Sequence, residues 1–268
     1  MNLKNKIILI TGATDGIGKQ TAIDAAKKGA QVIIHGRDDE CIMNTLKEIR
    51  KINEDVFGVR ADFRDLNQVA EAAKDIKENF EKIDILFNNA AEFMPKRELT
   101  KDGFERTFQV NYLAHFLLTE KLMSKIKNTE KARILNVTSM IHSSQIDFEN
   151  LQSKKSYGGS DAYSLSKLLN ILHAYKPGRL YEKNEVNINC LHPGVIETKL
   201  LNAAWSGGMS VTEGAATMLY AAESEAIEGV SGLYIENRRP MQSNPISYNT
   251  EIQDKLYDLS REMTKKFL

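Results

Sequence analysis

Short runs of Val, Ile and Leu alternate with longer amphipathic stretches from residue 6 to residue 235 of this 268-residue chain. Lys6–Thr11, Gln31–His35, Val56–Arg60, Ile83–Asn88, Arg133–Thr138, Val186–His192 and Leu233–Ile235 read as strands. Ile17–Lys28, Glu40–Ile52, Leu66–Phe80, Lys101–Ser124, Tyr163–Lys176 and Thr212–Ala222 read as the helices between them. Strands that are apolar throughout, rather than at every second residue, are covered on both faces. Repeated strand–helix alternation then predicts an α/β fold: a single-domain, Rossmann-type, doubly wound parallel sheet of about seven strands flanked by helices. No low-complexity linker or composition shift divides residues 1–268, so one domain is expected. Two irregular regions, about 142–161 and 194–210, follow strands, and long loops in such places tend to be functional.

The charges balance, with 36 Lys and Arg against 36 Asp and Glu. No overall charge draws the chain to nucleic acid or a membrane surface. Ile7-Ile8-Leu9-Ile10 is far too short for a secretion signal or a membrane span, and the C-terminal residues hold no prenylation cysteine. The two cysteines, Cys41 and Cys190, are expected as free thiols, and the five histidines show no metal-ligand spacing. The expectation is a cytoplasmic, metal-free enzyme with no membrane anchor.

The first strand runs into Thr11-Gly12-Ala13-Thr14-Asp15-Gly16-Ile17-Gly18 and then a helix. Gly12 permits a tight turn, Gly16 lets backbone amides approach a pyrophosphate, and Gly18 lets the helix pack closely on the strand. The helix start offers unpaired N–H groups to the phosphates, so Thr14, Asp15 and Ile17 join the glycines as cofactor-binding residues. At the end of the second strand, the position that carries an acid in NAD-selective sites is Gly36. Arg37 follows, and its planar guanidinium suits a 2′-phosphate, which favours NADP over NAD. Asp38 and Asp39 offer Arg37 a surface ion pair as the alternative. Asp62 is either an acceptor for the adenine amino group or a helix cap.

Farther along, Asn88-Asn89-Ala90-Ala91 ends the fourth strand with small and amide residues, suited to a cofactor passing over the strand tip. Ser139 follows the fifth strand, and Tyr163 and Lys167 share one helical face at i, i+4. The ordered set Thr11–Gly18, Asn88–Ala91, Asn111, Ser139, Tyr163/Lys167 and Pro193-Gly194 resembles the short-chain dehydrogenase/reductase family. Asp147-Phe148-Glu149-Asn150-Leu151, the wide interval from Ser139 to Tyr163, and Leu191-His192-Pro193-Gly194-Val195 resemble its retinol-dehydrogenase-like branch. Ala91 departs from the glycine of the family's Asn-Asn-Ala-Gly motif, and Pro177 interrupts the helix after Tyr163.

The resemblance implies a hydride exchange between NADP and a carbonyl or alcohol, with Tyr163 as general acid or base. Lys167 and the oxidised nicotinamide would favour the phenolate, Ser139 would hold the substrate oxygen, and Asn111 would help organise a water-linked proton relay. Phe63, Asn89, Ala90, Pro193, Gly194, Val195 and Thr198, with Tyr163 and Lys167, are implied in cofactor binding. Phe93, Met94, Met140, Ile141, Tyr157, Val195 and Trp205 form a candidate apolar wall for a small, lipophilic substrate. A non-catalytic dinucleotide-binding redox sensor on the same fold is the alternative. The faces of Lys101–Ser124 and Tyr163–Lys176 suit either a homo-oligomer or packing within one chain.

Overall fold

In a computed structural model, which describes residues 1–181, 185–203 and 206–268, eight strands form one sheet. They are β1 (Ile7–Ile10), β2 (Gln31–Gly36), β3 (Val56–Arg60), β4 (Ile85–Asn88), β5 (Ala132–Val137), β6 (Val186–His192), β7 (Tyr234–Glu236) and β8 (Arg239–Met241). Their order is β3-β2-β1-β4-β5-β6-β7-β8, all pairs parallel except the last. The chain winds outward from β1 toward β3, then returns to β4 and winds the other way. Between β1 and β4 the crossovers part, and their carboxyl ends open a crevice there.

The helices are α1 (Gly16–Lys27), α2 (Asp39–Ile49), α3 (Leu66–Asn79), α4 (Arg106–Phe108), α5 (Ala114–Ile126), α6 (Gly159–Leu180), α7 (Lys199–Asn202), α8 (Val211–Glu223) and α9 (Thr250–Thr264). Between α4 and α5 lies a π-helical turn, Gln109–Leu113. Two apolar layers sandwich the sheet. Ala22, Ala25, Leu46 and Met218, from α1, α2 and α8, pack on one face. Leu66, Val69, Leu117, Leu168 and Leu172, from α3, α5 and α6, pack on the other.

Three differences from the expected elements have plain causes. The helix expected from Lys101 starts at Arg106, where the Glu105 carboxylate caps the amides of Thr107 and Phe108 at 2.9 and 2.7 Å. Pro177 does not end α6, which runs on to Leu180. A proline removes only its own N–H bond and crowds one carbonyl, which a long, packed helix tolerates. Finally, α9, which lies beyond the expected strand–helix alternation, packs against α5 and α6. Tyr112 Oη meets Ser260 Oγ at 2.5 Å, Tyr257 Oη donates to Glu120, and Lys176 pairs with Asp254 at 2.7 Å. No helix among the described residues is long and apolar enough to cross a membrane.

Candidate active site

The carboxyl ends of β1, β2, β4, β5 and β6 surround one cavity of about 700 Å³. Gly12, Thr14, Asp15, Gly16, Ile17, Gly18, Arg37, Asp62, Phe63, Asn89 and Ala90 line it, as do Ser139, Tyr163, Lys167, Pro193, Gly194, Val195 and Thr198. Of the residues singled out from the sequence for catalysis or cofactor binding, all but Asn111 and Asn88 therefore face the same space.

At the β1 turn, backbone fills the room that side chains would need. Gly12 has φ +64°, and a Cβ there would lie 2.8 Å from Ala90 Cα. A Cβ on Gly18 would overlap the Gly12 carbonyl and sit 2.5 Å from Asn89 Nδ2. The Asp15 carboxylate caps α1 by accepting from Gly16 N at 2.9 Å, and it pairs with Lys199 of α7 at 2.6 Å. Thr198 caps α7 by accepting from Leu201 N at 3.2 Å. Apart from the Asp15 cap, this close-packed glycine turn leaves backbone at the surface of the cavity, as a pyrophosphate site needs.

The next end of the cavity is rich in charge. Asp38 is spent on the α2 cap, accepting from Cys41 N at 2.9 Å, and Asp39 pairs with Arg60 at 3.4 Å. Neither acid engages Arg37, whose guanidinium is mostly exposed and reaches Glu92 Oε2 only at 4.0 Å. A Cβ at Gly36 would stand 2.6 Å from Thr14 Cγ2, so the place of an NAD-selecting acid is occupied by a neighbour. Asp62 takes a forked bond from Arg64 and also accepts the Arg64 amide at 3.0 Å. Burial pushes its carboxyl up, but Arg64 and its bonds pull harder, leaving it below the ordinary range. Phe63 stacks on His35 with ring centroids 4.3 Å apart.

His35 is a residue that the sequence did not single out. Its Nδ1 accepts from Gly12 N at 3.1 Å and its Nε2 lies 3.0 Å from the Ala61 carbonyl, so the proton sits on Nε2. Burial holds the ring neutral, near pKa 4. Glu92 and Arg106 were also missed. They form a two-pronged pair at 2.7 and 2.9 Å on the cavity wall.

Ser139, Tyr163 and Lys167 converge where β5 meets α6. Lys167 Nζ lies 5.4 Å from the Tyr163 ring centroid and donates to the Val137 carbonyl at 3.1 Å. Thr138 Oγ1 donates to the Lys167 carbonyl at 2.7 Å, tying α6 to the strand tip. Burial pushes the Tyr163 hydroxyl up to about 12, opposed by a hydrogen bond with Ser139. In the protein alone, then, burial raises the phenol, and the opposing contribution comes from Ser139 rather than from Lys167. Burial likewise pushes Lys167 down to about 8.

That shift makes a stability prediction. Between pH 8 and the ordinary lysine value of 10.5, the unfolded chain keeps the Lys167 proton while the folded chain has released it. Stability from this group therefore rises with pH across that window, by about 2 kcal/mol between pH 8 and pH 10. Denaturant unfolding should show this rise in the wild type and a smaller one in Lys167→Met. Equal rises would place the titrating group elsewhere.

Asn111 stands behind the wall, in the π-helical turn. Its Oδ1 accepts from Glu92 N at 2.8 Å, and its Nδ2 donates to the Glu92 carbonyl and to Ser166 Oγ, each at 3.0 Å. His142 makes a local backbone contact, its Nδ1 2.7 Å from the Ser139 carbonyl, while its Nε2 accepts from Asn244 N at 3.1 Å. Among the described residues, no group of three or more His, Cys, Asp or Glu could hold a metal ion.

On the substrate side, Phe93, Met94, Met140, Ile141 and Val195 line the cavity, joined by Leu200 and Leu201 of α7. Tyr157 does not. Its hydroxyl donates to the Met94 carbonyl at 2.9 Å and so anchors that segment from outside. Trp205 lies outside the described residues.

The short chain dehydrogenase family model matches residues 6–207. The chain belongs to the short-chain dehydrogenase family. Within it the chain falls in the retinol-dehydrogenase-like branch. Mouse retinol dehydrogenase 13 is 36% identical over 97% of this chain and 84% of its own length. Human polyprenol dehydrogenase is 33% identical over 97% of this chain and 85% of its own. A crystal structure of a protein from Mycobacterium paratuberculosis superposes with a TM-score of 0.84, at 28% identity over 98% of this chain and 95% of that one. This short-chain dehydrogenase is an oxidoreductase acting between alcohol and carbonyl groups.

Proposed function

We propose that the protein is an NADP-dependent oxidoreductase that interconverts a carbonyl and an alcohol on a small lipophilic substrate, with Tyr163 as general acid and base. The observation that carries this reading is the convergence of Ser139, Tyr163 and Lys167 in a cavity continuous with the glycine turn. Gly12 to Gly18 would hold the pyrophosphate, Arg37 the 2′-phosphate, and Asp62 and Phe63 the adenine side. Asn89, Ala90, Pro193, Gly194, Val195 and Thr198, with Tyr163 and Lys167, would hold the remainder. When bound, NADP supplies or accepts the hydride.

The chain's own groups handle the proton and the developing charge. A carbonyl gaining hydride becomes an alkoxide, and a hydroxyl donor aimed at that oxygen stabilises it. Ser139 offers such a donor, and Tyr163 offers the proton. A phenol is protonated at neutral pH and burial raises its pKa further, so Tyr163 is already in the form that a reduction consumes. Lys167 places an ammonium beside the phenolate that remains. Asn111 contributes by holding the Glu92 peptide and Ser166, next to Lys167 on α6.

Substrate preference is assigned to the loops 142–161 and 194–210 and to the apolar wall of Phe93, Met94, Met140, Ile141, Val195 and Leu201. The retinol and polyprenol dehydrogenases among its relatives carry names of apolar alcohols, which supports the same class. A panel of aldehydes, ketones, sterols and retinoids, followed by NADPH absorbance with NADH as control, tests this. Turnover should concentrate on apolar carbonyls with NADPH. Turnover confined to small polar carbonyls would overturn the substrate class.

A further inference from the structure

The turn after β1 and the π-helical turn at Asn111 are joined by a buried histidine that the proposed hydride and proton transfers do not use. His115 is 1% exposed. Its Nδ1 lies 3.1 Å from the Asn111 carbonyl and its Nε2 lies 2.9 Å from Thr11 Oγ1. A carbonyl only accepts, so the proton is on Nδ1. Burial holds the ring far below the ordinary histidine range, near 3, so it carries a single proton and Nε2 is a bare acceptor.

Thr11 Oγ1 accepts the amides of Asn89 at 2.8 Å and Ala90 at 2.9 Å. Those two bonds fill its lone pairs and leave its own proton to donate. His115 Nε2 is the nearer taker, with the Phe87 carbonyl at 3.2 Å. The direction is thereby set: the Asn89 and Ala90 amides give to Thr11, Thr11 to His115, and His115 to Asn111. Asn111 closes the circle, because its carboxamide grips both backbone groups of Glu92. Residues 89 to 92 line the cavity, and Asn89 Nδ2 in turn holds the Thr11 carbonyl at 2.7 Å.

We propose that His115 is a positioning residue for the dinucleotide. It links the Thr11 and Asn111 grips, so that residues 89–92 stay where the cofactor must pass. The inference rests on the cofactor reading above, but its first test needs no cofactor.

His115→Phe keeps the ring and deletes both bonds, leaving the Thr11 hydroxyl only the longer contact to the Phe87 carbonyl at 3.2 Å and the Asn111 carbonyl without its side-chain donor. Amide hydrogen exchange at Asn89 and Ala90, measured without dinucleotide, should quicken about fivefold or more relative to amides of α8, as loss of one hydrogen bond predicts. The dissociation constant for NADP⁺ should rise about fivefold with a smaller change in kcat, which a general loss of stability would not produce. His115→Gln, which keeps one donor and one acceptor, should restore most of both. Equal quickening in α8 and at Asn89 and Ala90 would overturn the proposal, and so would native exchange in His115→Phe. Should His115→Phe fail to fold, Thr11→Val must give the same local quickening, and unchanged exchange there would equally overturn it. A wild type that binds neither NADP⁺ nor NAD⁺ would defeat the cofactor reading while leaving the exchange result to decide the hydrogen-bonded circle.

Discussion

Tyr163→Phe is expected to keep NADP(H) affinity within about threefold of the wild type while lowering kcat about 100-fold or more, the usual share of a general acid. The substitution removes one oxygen and leaves the ring, which is buried and packs beside Phe93 at 6.2 Å between centroids. What it deletes is the proton for an alkoxide formed next to Ser139. Lys167 does not take over that role, because its ammonium is directed to the Val137 carbonyl at 3.1 Å. Single-turnover rates and equilibrium binding, measured on the same preparation, separate loss of chemistry from loss of cofactor. A kcat close to that of the wild type would remove Tyr163 from the reaction.

The second large effect concerns cofactor choice. Arg37→Ala should raise KM for NADPH about 30-fold and KM for NADH less than about threefold, since a charge-assisted contact to a phosphate is worth about 2 kcal/mol. The surroundings of Arg37 give the reason. Asp38 is held by the α2 cap and Asp39 by Arg60, so the surface pairing that the sequence left open does not form. Thr14 crowds the space at Gly36 where an acid would reject a 2′-phosphate. The guanidinium is therefore available to an incoming anion. Equal losses for both cofactors would show that Arg37 does not read the 2′-phosphate.

Much of this architecture is legible in the sequence because a doubly covered sheet demands unbroken apolar strands. In β6 Asn187 and Asn189 interrupt the run, but Ile7–Ile10 and the Val32-Ile33-Ile34 run of β2 advertise themselves in that way. β8 does not: Arg239-Pro240-Met241 is short, exposed and contains a proline, and edge pairing alone makes it a strand. α9 did carry a signal. Ile252, Leu256, Leu259 and Met263 recur at helical spacing after Asn249, whose side chain accepts from Ile252 N at 3.1 Å. It lies beyond the last strand–helix alternation, where that pattern gives no guide.

At the site, residues fixed by local chemistry were legible and those fixed by tertiary contact were not. The glycine turn is visible as a strand–turn–helix pattern, and Tyr163/Lys167, a weak i, i+4 signal alone, is singled out by the ordered set of motifs around it. His35, His115 and the Glu92–Arg106 pair gain their partners from other elements, at 3.1 Å to Gly12, 2.9 Å to Thr11 and 2.7 Å across the cavity wall. No periodicity in the chain encodes those meetings. Tyr157 illustrates the converse, since an aromatic residue in a candidate substrate loop turned outward to bond the Met94 carbonyl.

The proposed function requires that the glycine-built crevice beside Tyr163 accept a pyridine dinucleotide. Calorimetric titration of the wild-type protein with NADP⁺ tests it most directly, with NAD⁺ as the parallel titrant. One NADP⁺ per chain, bound more tightly than NAD⁺, is the predicted result. Absence of binding heat from either nucleotide across several temperatures would contradict the account.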